Sequence, residues 1–79
     1  MTDFTKDSFL EQIRSRCPEV VTRRDVEKLT FGLIKAKTIG NKDSLGEGPS
    51  SRINVGKKVA YPREAFLAWL EERLVVEHA

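Results

Sequence analysis

The sequence predicts a small α+β domain in which helices surround one short β-hairpin. Three observations carry this. Apolar residues recur at helical spacing in four stretches, one further stretch alternates instead around Gly56-Lys57-Lys58, and 79 residues supply a single core rather than two. Apolar residues make up 39% of the chain and charged residues 33%, the balance of a globular domain and of neither a disordered chain nor a membrane protein. No run approaches the roughly 18 apolar residues that span a bilayer. The start, Met1-Thr2-Asp3-Phe4, lacks the basic and then apolar pattern of a secretory signal, so a cytoplasmic location is expected. With one cysteine, Cys17, and one histidine, His78, the chain can build neither an internal disulfide nor a zinc finger.

The elements follow in order. From Thr5 to Arg16, Phe9, Leu10, Ile13 and then Cys17 form one apolar stripe of a helix. Pro18 stops it, and Cys17 reads as a small buried apolar residue, since Arg16 alone does not make a reactive thiol. Thr22 opens a second helix: its hydroxyl caps free amides, Asp25 completes an approximate capping box, and Val21 pairs with Val26 as a hydrophobic staple. Val26 and Leu29 give this helix its buried side, and it ends near Thr30. Gly32 marks a turn, and Lys35 to Leu45 form a third helix closed by Gly46. After the loop Glu47-Gly48-Pro49-Ser50-Ser51, the segments Arg52–Val55 and Val59–Tyr61 alternate as two strands of a hairpin. Gly56 suits a two-residue turn, whereas a three-residue loop puts Ile53, Val55, Val59 and Tyr61 together on one face. The second register is preferred because it buries a consistent set. Pro62 suits the first position of a last helix, in which Phe66, Trp69, Leu70 and Leu74 line a core face, Trp69 included.

Charge divides unevenly along the chain. Residues 22–63 carry ten basic and four acidic side chains, against three and four in residues 1–21 and one and four in residues 64–79. A basic middle on an otherwise near-neutral domain is the footprint of a phosphate-backbone binder, although a solvated lysine face looks the same by charge alone. Placement narrows the choice. Arg23 and Arg24 sit in the first turn of the second helix, where they oppose the helix dipole and add nothing to stability, but where arginines and a helix N-terminus together grip phosphate. Burying Ala36 and Ile39 turns Lys37, Asn41 and Ser44 outward at i, i+4, i+7, with Thr38 on the flank. Asn bonds adenine, Lys reaches guanine or phosphate, and Ser and Thr serve either, so this face suits base edges in a major groove. Lys57 and Lys58 lie at or beside the hairpin tip and Arg52 at its base, where they meet a sugar-phosphate backbone. Lys35 and Lys42 extend the set of phosphate contacts. The acids Glu64, Glu71, Glu72 and Glu77 of the last helix repel phosphate and belong on a face turned away from it.

From Val21 to Leu74, about two thirds of the chain, the sequence resembles the winged helix-turn-helix domains of phage excisionases and related MerR-like regulators. The resemblance is carried by Lys37-Thr38-Ile39, Asn41, Gly46-Glu47-Gly48-Pro49, Val55-Gly56-Lys57-Lys58-Val59, and Tyr61-Pro62-Arg63-Glu64-Ala65-Phe66 ending in Ala68-Trp69-Leu70. It implies a winged domain over residues 21–75, preceded by an N-terminal helix extension over 1–20 and followed by a tail at 76–79. It also implies that the helix around Thr38 and Asn41 enters the major groove while the hairpin rides the adjacent minor groove or backbone. The chain departs from the family pattern at four points. The connection Thr30-Phe31-Gly32-Leu33-Ile34 is longer than usual and lacks the Ser or Thr cap, Gly40 interrupts the third helix, Lys42 replaces a common aromatic, and Asp43 adds a negative charge.

Enzymatic chemistry has little to stand on. A Ser or Cys nucleophile would need His78, beside the C-terminus, as its base; a phosphate-cradling Gly-x-x-x-x-Gly-Lys-Ser/Thr loop is absent; Glu71 and Glu72 are adjacent on a helix and face different ways. The expected function is sequence-specific binding of double-stranded DNA, without cofactor or metal, by a nucleoid-associated protein of a prokaryotic or phage genome. An excisionase-type architectural factor and a small transcriptional regulator both fit, with further copies on adjacent sites, a recombinase or another protein as partners. The rival is a protein-interaction module on a winged scaffold that no longer binds DNA.

Overall fold

A computed structural model describes residues 4–77. The chain runs α1 (Lys6–Arg16), β1 (Val20–Thr22), α2 (Arg23–Leu29), α3 (Ala36–Ser44), β2 (Ile53–Val55), β3 (Lys58–Pro62) and α4 (Arg63–Arg73), so the described residues form an α+β domain with a three-stranded antiparallel sheet of order β1-β3-β2. His78 and the first three residues, which enter the sequence argument, lie outside the described residues.

Local chemistry accounts for each helix boundary. Thr5 and Ser8 cap α1 reciprocally, each side-chain oxygen accepting the other's backbone N–H at 3.0 Å. The predicted box at the start of α2 is present: the Thr22 hydroxyl accepts from the Asp25 N–H at 3.0 Å, and the Asp25 carboxylate accepts from the Thr22 N–H at 3.1 Å. Helix α3 begins at Lys35 without a cap of its own, and Glu27 of α2 supplies one by accepting the Ala36 N–H at 3.0 Å. Both α2 and α3 end in Schellman turns. In the second, Gly46 takes the left-handed conformation at φ +73°, as the sequence predicts. In the first, that position belongs to Phe31 at φ +56°, and Gly32 follows it. A left-handed aromatic is strained. Its ring packs at 6.2 Å from that of Phe9 and lies under the Arg16 guanidinium, contacts that tie the turn to α1.

Two expectations need correction. Residues 20–22 form a strand that the sequence did not announce: β1 pairs with β3 and sets Val21 opposite Tyr61, both fully buried. The hairpin closes through the two-residue turn Gly56-Lys57, with Val55 opposite Lys58 and Gly56 at φ +60°. The preferred three-residue register is therefore wrong. Residues that pair directly share a face, so Ile53 and Val55 lie with Ala60 and Lys58 on the outer side, while Val59 and Tyr61 face in. Val55 is 71% exposed. The turn glycine decided the register, and hydrophobic consistency did not.

The core sits between α1, α4 and the inner face of the sheet. α1 contributes Phe9, Ile13 and Cys17, so the expected N-terminal extension shares the core of the rest. Val26 and Leu29 of α2 and Ile39 of α3 close it from the other side, with Phe66, Leu67, Trp69 and Leu70 of α4 across from them. Pro62 ends β3 and stands at the N-cap position of α4, so the helix begins at Arg63, one residue later than predicted, and the Arg63 N–H donates to the Glu19 carbonyl at 2.8 Å. Trp69 is a structural residue, buried and donating its indole N–H to the Glu47 carbonyl at 2.8 Å. Burial raises the pKa of the Cys17 thiol, which keeps it protonated. Among the described residues no helix is long and apolar enough to cross a membrane.

Candidate nucleic-acid interface

Turning Ile39 fully inward gives α3 an outer face, and Lys37, Asn41 and Ser44 are exposed on it, with Thr38 exposed on the flank. The Ser44 hydroxyl donates back to the Gly40 carbonyl at 3.3 Å. Leu45 shares this side and is also exposed; sequence reading treated it only as a helix end. Lys35 is exposed at the head of α3. Lys42 turns the other way, toward Glu47 at 3.6 Å and into an apolar groove beside α4.

A second feature lies where the hairpin tip approaches the start of α2. Thr22, Arg23, Arg24, Lys57, Lys58 and Val59 line an open groove of about 380 Å³. Four of the six are cationic and none is acidic. The antiparallel β1-β3-β2 sheet brings these residues together, because β1 leads directly into α2 while β3 carries Lys58. Arg24, Lys57 and Lys58 form no ion pair with any described residue, so their charge is available to a ligand. Thr22 and Val59 complete a site in which sequence reading saw only the cations.

Arg23 behaves differently from its neighbour. Its Nη2 donates to the Asp43 carboxylate at 2.8 Å and its Nε to the Tyr61 hydroxyl at 3.0 Å, and Tyr61 donates to the same carboxylate oxygen. These hydrogen bonds, from Asp43 first and then Tyr61, raise the arginine's pKa and keep it charged. Burial, followed by the Asp43 hydrogen bond, pushes the Tyr61 phenol up to about 12. Arg52 approaches the other carboxylate oxygen at 3.8 Å. Of the seven expected phosphate contacts, Arg24, Lys57 and Lys58 thus meet in one groove with Arg23 as its inner wall. Arg52 stands on the far side of Asp43, and Lys35 and Lys42 lie at the two ends of α3.

The departure at Asp43 acquires a physical reason and the one at Gly40 does not, since a Cβ at residue 40 would meet the guanidinium carbon of Arg23 at 3.4 Å, an ordinary contact. Asp43 points inward, its side chain 4% exposed, and does not present its charge on the outer face. The missing helix cap is the one Glu27 provides. Acidic residues of α4 line none of the cationic groove; one of them, Glu64, is held below its usual pKa by a 2.7 Å ion pair with Arg14. Among the described residues no group of His, Cys, Asp and Glu could hold a metal ion. No protein-family model matches this chain, and no curated protein or solved structure is significantly similar to it.

Proposed function

We propose that the protein binds double-stranded DNA sequence-specifically, as a small winged helix-turn-helix protein with α3 as its recognition helix and the β2–β3 hairpin as its wing. The observation that carries this reading is the groove shared by Arg24, Lys57 and Lys58, whose inner residue Arg23 bonds Asp43 on the inner side of α3, the helix whose outer face is polar and exposed. An α-helix with its side chains is about 10–12 Å across, which suits a major groove about 12 Å wide. Lys37, Thr38, Asn41 and Ser44 read base edges there, and the cations of the groove hold the flanking phosphates. The role is that of an excisionase-type architectural factor or a small transcriptional regulator of a prokaryotic or phage element, acting with further copies or with a recombinase.

Three free cations on phosphates imply a salt slope near −3 on logarithmic axes, or a loss of affinity of about 40-fold between 50 and 200 mM salt. Fluorescence anisotropy with a labelled mixed-sequence duplex measures this, and selection from a random pool then yields the preferred site. Binding undetectable even at low salt refutes the proposal. The second reading, a protein-interaction module, is favoured by the apolar groove of about 230 Å³ that Phe9, Leu33, Ile34, Trp69 and Leu74 help to line. It becomes the better one if DNA fails to bind.

A further inference from the structure

We infer that Asp43 is the positioning residue of the DNA interface: through Arg23 and Tyr61 it fixes the roll of α3 against the hairpin, so that base-reading side chains and hairpin cations register on one duplex. The inference rests on the DNA-binding reading and adds to it a residue that touches no DNA.

One carboxylate joins three elements. Asp43 comes from α3, Arg23 from α2 and Tyr61 from β3, and the three side chains bond one another in a closed triangle. Tyr61 is fully buried and the Asp43 side chain is 4% exposed, so the bond between them is shielded from water, and solvent reaches the triangle only from the side of Arg23. One glycine clears the space. At Gly48 a Cβ would stand 1.9 Å from Oδ1 of Asp43, so any side chain there displaces the carboxylate. Gly48 has no left-handed backbone to explain it, which leaves the close approach of Asp43 as its reason.

Geometry sets what the triangle controls. Asp43 and Ile39 lie on the inner side of α3, and Lys37 and Asn41 on the outer side, so a roll of the helix about the triangle swings the outer residues by a comparable arc. Hydrogen bonds to base edges do not tolerate such a displacement, because donor and acceptor must meet near 3 Å and close to linear. Phosphate attraction does tolerate it, since the flexible cations of the hairpin act as point charges. A negative charge beside the groove also opposes phosphate. Removing that charge and keeping the shape therefore costs specificity and spares non-specific affinity, whereas partial unfolding lowers both in proportion.

The test measures dissociation constants of the full chain for its selected site and for a mixed-sequence duplex, at one salt concentration, in the wild type and in Asp43→Asn and Gly48→Ala. Gly48→Ala displaces the carboxylate and retains its charge. In both variants the ratio of specific to non-specific affinity is expected to fall about tenfold, the equivalent of one good base contact. Non-specific affinity is expected to stay within about twofold of wild type, or to rise in Asp43→Asn. A folded Asp43→Asn and Gly48→Ala with the wild-type ratio overturn the inference and leave DNA binding intact. If either fails to fold, Tyr61→Phe, which removes only the hydroxyl of the triangle, decides by the same ratio. A wild-type chain that binds no DNA, or binds it without preference, overturns the inference together with the reading beneath it.

Discussion

Arg23 and Arg24 stand side by side in the first turn of α2 and differ in nearly everything else. The Arg23 guanidinium is held by Asp43 and Tyr61, with its side chain 32% exposed, whereas Arg24 opens into a groove with Lys57 and Lys58 and meets no carboxylate among the described residues. The same residue type, one position apart, is structural in one case and available in the other. Position along the chain cannot separate them, because the partners of Arg23 lie 20 and 38 residues away. A basic run is thus a mixture, and only the pairing of each cation tells which part of its charge can reach a phosphate.

The two arginines differ most in what their partners contribute to stability. Asp43→Ala leaves a buried phenol and an arginine without their acceptor, and is expected to destabilise the fold by about 3 kcal/mol in denaturant unfolding. A loss below about 0.5 kcal/mol would place the triangle among ordinary surface pairs.

The phenol itself gives a pH signature. Its folded pKa of about 12 lies above the usual value of 10, so its contribution to stability is complete below pH 10 and is lost as pH rises toward 12. Unfolding curves at a series of alkaline pH values should show a drop in that window that Tyr61→Phe lacks. An identical drop in both proteins would assign it to the lysines instead.

On the open side the expected effect moves from folding to binding. Lys57→Ala combined with Lys58→Ala should leave stability within about 0.5 kcal/mol, weaken binding to every duplex alike and reduce the salt slope by about 2. If this double variant loses stability instead, the hairpin cations belong with Arg23.

The sequence made legible what is local. The Thr22–Asp25 box, the Gly46 cap and the core face of α4 each depend on residues within a turn of one another. The two-residue hairpin turn was also written in Gly56. Expecting every apolar residue to face the core hid it, while Ile53 and Val55 in fact lie outside. Strand β1 is three residues long, too short for alternation to register, and exists because β3 pairs with it. In the candidate site, the exposure of Lys37 and Asn41 followed from helical period alone. The capture of Arg23 did not, being a long-range contact whose one local trace is Gly48, which reads in the sequence as an ordinary loop glycine.

In the proposed complex, the free cations of the groove and the outer face of α3 meet one DNA duplex. Titrating isotopically labelled protein with a mixed-sequence duplex at low and moderate salt, and following backbone amides by NMR, tests this contact directly. Salt-sensitive shifts are expected at Arg24, Lys57 and Lys58 and along Lys37 to Ser44, with the amides of Glu71 and Glu72 unmoved. Shifts absent from these residues at both salts, or confined to Phe9, Leu33 and Leu74 around the apolar groove, would contradict the proposed complex.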